Sequence, residues 1–183
     1  MQKLDKRETL VALLQAYNPV AQEEITAKRD MLAFINAHED CFERSLEVGH
    51  ITASCWLLNK DGTKALLMHH AKLNAWFQLG GHCDGDHDVL RVAIKEAQEE
   101  SGINDIIAVA PKIFDIDVHL IPQTSKHKAH YHYDVRFLLQ VSSDEVVMPN
   151  SESNELRWVS KNISELPTSE LSVTRMFNKW LAL

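Results

Sequence analysis

The chain has 183 residues, of which 45% are hydrophobic and 25% charged, as expected for one globular domain of ordinary size with a full core. Its 19 basic and 26 acidic residues give a net charge of −7, which argues against sequence-independent binding of polymeric nucleic acid. No segment approaches the roughly 18 apolar residues of a membrane span, and MQKLDKRETLVALL does not resemble a secretory leader, so we expect a cytoplasmic protein that does not bind membranes.

Two further features of the composition bear on the state of the cysteines and on the kind of ligand. Cys41, Cys55 and Cys83 are too few and too scattered for a disulfide framework, so we predict reduced thiols. The negative net charge still permits a small anionic ligand, because a bound metal ion can supply the missing positive charge.

The N-terminal part of the chain is predicted to be helical. Apolar residues recur at helical spacing from residue 3 to 17, Asn18-Pro19 interrupts the pattern, and a second helix is expected over residues 20–37. We interpret residues 1–44 as a helical extension of a main domain that spans residues 45–183. This domain begins with a predicted β-hairpin, in which HITASCWLLN and TKALLMHH flank an Asp61-Gly62 turn.

The remaining elements alternate between strands and helices. A short strand over residues 76–79 is followed by the Gly80-Gly81 loop, a helix, a strand pair over residues 106–121, and a strand over residues 131–141. A short RWVS strand and a terminal helix over residues 170–183 complete the chain. This order predicts an α/β (α+β) sandwich with a mixed sheet.

The helix after the glycines carries three glutamates on one side. Glu96, Glu99 and Glu100 are neighbours at i, i+3 and i+4, whereas the opposite side is small and aliphatic. Local helix energetics disfavour such like charges near a C-terminus, which Gly102 is predicted to cap. The cluster is either a solvated face or a set of hard oxygen ligands for Mg²⁺ or Mn²⁺.

The longer segment GGHCDGDHDVLRVAIKEAQEESGI resembles the Nudix box, G-x5-E-x7-R-E-U-x-E-E-x-G-U, in which U is aliphatic. Seven fixed positions match over 23 residues: Gly81, Glu96, Ala97, Glu99, Glu100, Gly102 and Ile103. Two positions depart from the pattern, with His87 at the first glutamate and Lys95 at the arginine. Lysine keeps the charge of arginine but lacks its planar fork. The segments GHITAS, HHAKLNAWFQLGGH and DGDHD are similar to those of one Nudix subgroup.

The resemblance implies a Nudix-type α/β/α sandwich that hydrolyses a nucleoside diphosphate linked to another group X. It also implies that Glu96, Glu99 and Glu100 bind Mg²⁺ or Mn²⁺, with Glu99 and Glu100 directly catalytic and the Gly81 carbonyl as a further ligand. Some Nudix enzymes carry an acidic metal ligand or base in a late loop, for which Glu152 is the candidate here and Glu155 its neighbour.

A second set of polar residues occurs on the strand HYHYDV. Alternation places His130, His132 and Asp134 on one face and aromatic residues on the other. We predict that this face contacts substrate, together with His82 and His119. Trp76 is predicted to be a core residue or a stacking platform for a base.

Two alternatives remain open at this point. One is a catalytically weak Nudix module that binds a nucleotide derivative as a sensor, which the departures at His87 and Lys95 would favour. The other is a zinc hydrolase built on His130, His132 and Asp134. In each case the expected partner is a small molecule, and a homodimer is left open.

Overall fold

The structure is a computed structural model that describes residues 5–125, 127–143 and 145–183. Its first two elements are helices α1 (Glu8–Ala16) and α2 (Gln22–Ala37), which confirms both predicted N-terminal helices. Residues Leu10 and Leu14 of α1 are fully buried, as expected for apolar residues one helical turn apart. No helix within the described ranges is both long and apolar enough to cross a membrane.

Seven strands form one mixed sheet. They are β1 (Gly49–Leu58), β2 (Lys64–His70), β3 (Ala75–Phe77), β4 (Leu79–His82), β5 (Ile106–Ile121), β6 (His130–Val141) and β7 (Ser153–Ser160). The main order is β3-β2-β1-β6-β5, while β4 pairs with β1 and β7 with β2. The β1 and β6 strands run parallel, and the other pairs are antiparallel.

Helices cover both faces of this sheet. The remaining helices are α3 (Val89–Ser101) and α4 (Leu171–Leu181), with a short 3-10 helix at Ile163–Glu165 between β7 and α4. Along β1, Ile51, Ala53 and Cys55 pack in the core that includes α1, α2 and α3, whereas Trp56 and Leu58 pack in the core that includes α4. The predicted α/β/α arrangement with a mixed sheet is therefore confirmed.

Three details of the strands differ from the prediction. Residues 106–121 form one long strand, not a strand pair, and its pairing with β6 is irregular between Ala108 and Asp115. Pro111 lies in this irregular stretch, where its missing N–H is tolerated. The predicted strand over residues 76–79 is two short strands, β3 and β4, and the RWVS strand extends over all of β7.

Buried ion pairs connect the terminal helices to the sheet. Asp115 of β5 is fully buried and accepts hydrogen bonds from Arg136 (3.0 Å), Arg175 (2.9 Å) and Lys179 (2.7 Å). Burial opposes its ionisation, but the three cations outweigh burial and hold the pKa of Asp115 below its usual value. Lys179 of α4 also pairs with the buried Glu24 of α2. The N-terminal helices thus share their core and an ionic contact with the main domain, and the boundary at residues 44/45 stays a prediction.

Candidate active site

A cavity of about 1320 Å³ opens beside α3 and the start of β4. Most of the predicted site residues line it: Gly81, His82, Glu96, Glu99, Glu100, His119, His132, Asp134 and Glu152. Residues from the N-terminal helix α2, including Gln22 and Thr26, complete one wall. Trp76 and His130 are not among the described residues that line this cavity.

Both ends of the acidic helix α3 are defined by capping residues. Asp88 is its N-cap, and its Oδ1 accepts a hydrogen bond of 3.1 Å from the backbone N–H of Arg91. Gly102 ends the helix in the left-handed conformation (φ 76°), which confirms the predicted C-cap. Ala93 and Ala97 are fully buried, and Glu100 is buried on the same side of the helix, so the acidic patch adjoins the aliphatic side and does not lie opposite to it.

Glu100 is the most buried of the three glutamates. It is 4% exposed, and its Oε2 accepts a hydrogen bond of 2.8 Å from the backbone N–H of Gly80. Burial raises the pKa of Glu100 to about 8 against the effect of this hydrogen bond, and the charges of Glu96 and Glu152 raise it further. Burial also raises the pKa of Glu96, although Lys95 opposes the shift.

The two glycines before the helix allow β4 to approach it closely. A Cβ atom at Gly81 would collide with the carboxylate of Glu96, and one at Gly80 would collide with the side chain of Ser54. Glycine at both positions therefore brings the backbone into contact with the acidic cluster on one side and with β1 on the other.

The two departures from the family pattern have defined contacts. The Nζ of Lys95 lies 3.1 Å from Oε1 of Glu96 and 3.2 Å from Oε2 of Glu99, so lysine contacts both carboxylates in place of arginine. His87 is exposed and lies 3.9 Å from Asp86, whose carboxylate is held by Arg91 at 2.6 Å.

The donor set of this cluster fits a divalent cation. Glu96, Glu99 and Glu100 offer hard oxygen atoms, and the charge of Glu152 acts on both Glu96 and Glu100. Like charges at this density raise the free energy of the folded protein, whereas Mg²⁺ or Mn²⁺ bound by carboxylate oxygens would relieve the repulsion. The Gly81 carbonyl stays a candidate ligand because Gly81 lies against Glu96.

The late-loop glutamates differ in their surroundings. The backbone of Glu152 is fixed, since its N–H donates to Oδ1 of Asn150 and its carbonyl accepts from the N–H of Ala71, each at 2.8 Å. Its side chain lines the cavity. Glu155 instead lies on β7, where its Oε1 accepts a 2.9 Å hydrogen bond from Arg157.

Histidines form a second cluster on the neighbouring strands. His132 of β6 is the register partner of His50 on β1 and of His119 on β5. Burial lowers the pKa of His50 to about 4, and the neighbouring histidines lower it further, while a contact with the Leu46 backbone opposes the shift. Burial and the neighbouring histidines also hold the pKa of His132 well below its usual value. Sequence reasoning missed His50, although GHITAS contains it, because only the strand pairing brings it beside His132.

Two predicted residues have other partners in the structure. Asp134 is 2% exposed and accepts hydrogen bonds from Thr52 (2.9 Å), Ser54 (2.7 Å) and Arg136 (2.7 Å). In the alternative zinc set of His130, His132 and Asp134, the carboxylate is thus held by other partners, and the two histidines instead group with the imidazole of His50. The ring of Trp76 lies under the guanidinium of Arg157 at 4.5 Å.

A mixed sheet between two helical layers, with an E-x-x-E-E helix against a glycine-rich strand, defines a Nudix-type protein. A family model described as the NUDIX domain matches residues 48–177, and the chain belongs to this family.

Individual relatives agree with this assignment. The putative 8-oxo-dGTP diphosphatase 3 of Mycobacterium tuberculosis is 30% identical over 114 residues, which cover 58% of this chain and 50% of that protein. The chain thus spans about half the length of the curated relatives it matches.

Solved structures support the fold. A NUDIX-family hydrolase from Clostridium perfringens has a TM-score of 0.55 and 24% identity, covering 72% of this chain and 95% of its own. A MutT NUDIX hydrolase from Burkholderia pseudomallei has a TM-score of 0.55 and 19% identity, with coverage of 73% and 98%. A C. elegans Ap4A hydrolase complex has a TM-score of 0.55 and 17% identity, with coverage of 72% and 95%.

Proposed function

We propose that the protein is a pyrophosphohydrolase that depends on Mg²⁺ or Mn²⁺ and cleaves a nucleoside diphosphate linked to another group X. The observation that carries this proposal is the convergence of Glu96, Glu99, Glu100 and Glu152 on one cavity, with Glu100 buried and its pKa raised to about 8. Such a cluster is unfavourable without a cation and suits hard cations that bridge carboxylates and phosphates.

The charges in the cavity support a metal-dependent reaction on a phosphate compound. Arg44 pairs with Asp84, Lys95 with Glu96 and Glu99, and Arg175 with Asp115 and Asp117. These three lining cations are already neutralised by carboxylates of the chain, whereas Lys72 also lines the cavity. Because the single charge of Lys72 offsets only part of the charge of a diphosphate, divalent ions would supply the rest of the balance.

The residues of the chain have separable roles in this proposal. Glu96, Glu99 and Glu100 hold the cation, and the Gly80 N–H orients Glu100. The chemistry supplied by Mg²⁺ or Mn²⁺ at such a site is neutralisation of charge on phosphoryl oxygens and acidification of water. Glu152, from the loop before β7, accepts the proton of the attacking water. His82 and His119 line the cavity and can donate hydrogen bonds to substrate.

The names of the relatives indicate which class of bond is cleaved, but they do not agree on a single substrate. Their names include a putative 8-oxo-dGTP diphosphatase, an Ap4A hydrolase and a dihydroneopterin triphosphate pyrophosphohydrolase. These compounds differ in their organic part but share a phosphoanhydride linkage. We therefore infer a small-molecule substrate with that linkage and leave X undefined.

A substrate panel with chromatographic detection of products tests the proposal. It should contain sugar-linked nucleoside diphosphates, dinucleoside polyphosphates and nucleoside triphosphates, each with Mg²⁺, Mn²⁺ or a chelator. We expect turnover of at least one class with metal, none with chelator, and a loss of orders of magnitude in Glu99→Gln. Binding of a nucleotide without turnover under any metal condition would contradict an enzyme and favour the sensor alternative.

A further inference from the structure

We propose that His50, His130 and His132 form a Zn²⁺ site that is distinct from the carboxylate cluster. This site goes beyond the proposed hydrolytic function and does not depend on it. One ligand-capable nitrogen from each of the three imidazoles lies within 4.8 Å of the others.

The separation of the rings matches tetrahedral coordination. The ring centroids are 4.8 Å apart for His50 and His132, 5.0 Å for His50 and His130, and 5.2 Å for His130 and His132. With Zn–N distances of about 2.0–2.1 Å and tetrahedral angles, imidazole centroids should lie roughly 5 Å apart. The three rings thus already have the spacing of a zinc site, and small rotations of the side chains would direct their nitrogens to one point.

The sheet holds these ligands in position. His50 and His132 are direct partners in the parallel pairing of β1 and β6, and His130 lies two residues earlier on the same face of β6. Since strand pairing fixes all three Cα atoms, binding would require rearrangement of side chains alone. Ligands on rigid strands lose little freedom when they bind an ion.

The hydrogen bonding of the rings leaves ligand nitrogens available. His50 is 3% exposed, and within the described part of the chain its ring nitrogens have no hydrogen-bond partner apart from a contact with the Leu46 backbone. Nε2 of His132 likewise has no partner there. Buried polar atoms without partners are costly, so these positions require an explanation. His130 differs, because its Nδ1 lies 2.9 Å from the Lys128 carbonyl. A proton on Nδ1 leaves Nε2 free, which is the arrangement that orients metal-bound histidines.

The histidine cluster and the carboxylate cluster should bind different metals, because their ligand atoms differ. Imidazole nitrogens suit Zn²⁺, whereas carboxylate oxygens suit Mg²⁺ and Mn²⁺. His82 adjoins the open side of the three-histidine cluster, with its ring centroid 5.1 Å from that of His50 and 5.0 Å from that of His132. Because His82 directly follows Gly81, a zinc ion here would brace the same segment of β4 that contacts Glu96.

Metal titration of the purified full chain tests this site. Protein stripped with a chelator is titrated with Zn²⁺ against a chromophoric competitor, and with Co²⁺ while visible absorption is recorded. We expect one equivalent of tightly bound Zn²⁺ and a tetrahedral Co²⁺ spectrum that Zn²⁺ displaces. Absence of both signals in the wild-type protein would overturn the proposal, whatever the behaviour of the variants.

Matched variants locate the ion. His130→Ala should lower Zn²⁺ affinity by more than the roughly 10- to 100-fold loss caused by removing an outer partner of a ligand. His38→Ala, a control at the end of α2, and Glu99→Gln, in the carboxylate cluster, should both keep the wild-type affinity. Unchanged Zn²⁺ affinity in folded His130→Ala, or its loss in Glu99→Gln, would contradict the assignment to the histidines.

Discussion

The backbone N–H of Gly80 and the carboxylate of Glu100 form a hydrogen bond of 2.8 Å between β4 and the acidic helix. It is a backbone contact to a side chain that is only 4% exposed. Glu100 is therefore fixed by the glycine-rich strand, while burial raises its pKa to about 8. The protein accepts an unfavourable carboxylate at the position where the proposed cation would bind.

Glu100→Gln should raise the melting temperature in the presence of a chelator above pH 8. A carboxyl group whose pKa rises from 4.5 to about 8 binds more protons when folded, so its contribution to stability is lost as pH rises through this window. Glutamine cannot ionise, and its amide oxygen can still accept from Gly80. Melting curves from pH 5 to 9 should show a weaker decline for the variant, whereas an equal or steeper decline would contradict the buried charge.

Glu99→Gln should abolish most activity without affecting the fold. The Glu99 side chain is 58% exposed and its one described cation partner is Lys95, so its removal should change the melting temperature little. As a proposed ligand its loss should lower kcat by orders of magnitude. The measurement is kcat as a function of Mg²⁺ and Mn²⁺ concentration; native activity in both Glu99→Gln and Glu100→Gln would remove the metal assignment.

The acidic helix could be predicted from sequence because its information is local. The E-x-x-E-E spacing and Gly102 act within a few helical turns, and the structure has the helix and the Gly102 cap as expected, with Asp88 as the N-cap. The grouping of His50 with His132 depends instead on a parallel pairing between strands 82 positions apart in sequence. No local periodicity reports such a contact.

The irregular strand β5 and the buried ion pairs of Asp115 could also not be predicted from local sequence patterns. The long β5 strand contains Pro111 within an irregular stretch, and a proline normally indicates a break between two strands. Asp115 in the same strand appears as an ordinary polar residue in the sequence. Its three cationic partners come from β6 and α4, so its burial depends on the complete tertiary structure.

Gly81→Ala should lower kcat/KM by about 10²-fold, because displacement of a site group by about 1 Å has costs of this size. The new Cβ would collide with the carboxylate of Glu96, which must then move away from the cluster. A double-mutant cycle with Glu96→Ala provides the control. Since the collision disappears in that background, Gly81→Ala should then cause little further loss. Full additivity of the two effects would contradict this explanation.

Asp115→Asn should destabilise the protein by about 1.5–3 kcal/mol, because it removes a buried charged acceptor that three cations share, while each cation keeps at least one other carboxylate. Asp115 contacts Arg136, Arg175 and Lys179 and has no exposed surface. Urea unfolding gives the change directly. Asp61→Asn in the exposed β1–β2 turn is the matched control and should cost much less. A loss below about 1 kcal/mol at Asp115 would indicate that the network is not a net contributor.

Glu152→Gln tests how the attacking water is activated. The backbone of Glu152 is held at both its N–H and its carbonyl, whereas its side chain reaches the cavity near Glu96 and Glu100. A general base contributes roughly 10²- to 10⁴-fold, so kcat should fall by about that factor with little change in KM.

Glu155→Gln is the matched control for this experiment, since Glu155 is paired with Arg157 on β7 and does not belong to the described lining of the cavity. Its kcat should stay close to that of the wild-type protein. The pH profile of kcat adds a second readout, because loss of the base should remove the acidic limb in Glu152→Gln and leave it intact in Glu155→Gln. If Glu152→Gln keeps near-native kcat at every pH, the base must instead be sought among Glu96, Glu99, Glu100 and His87.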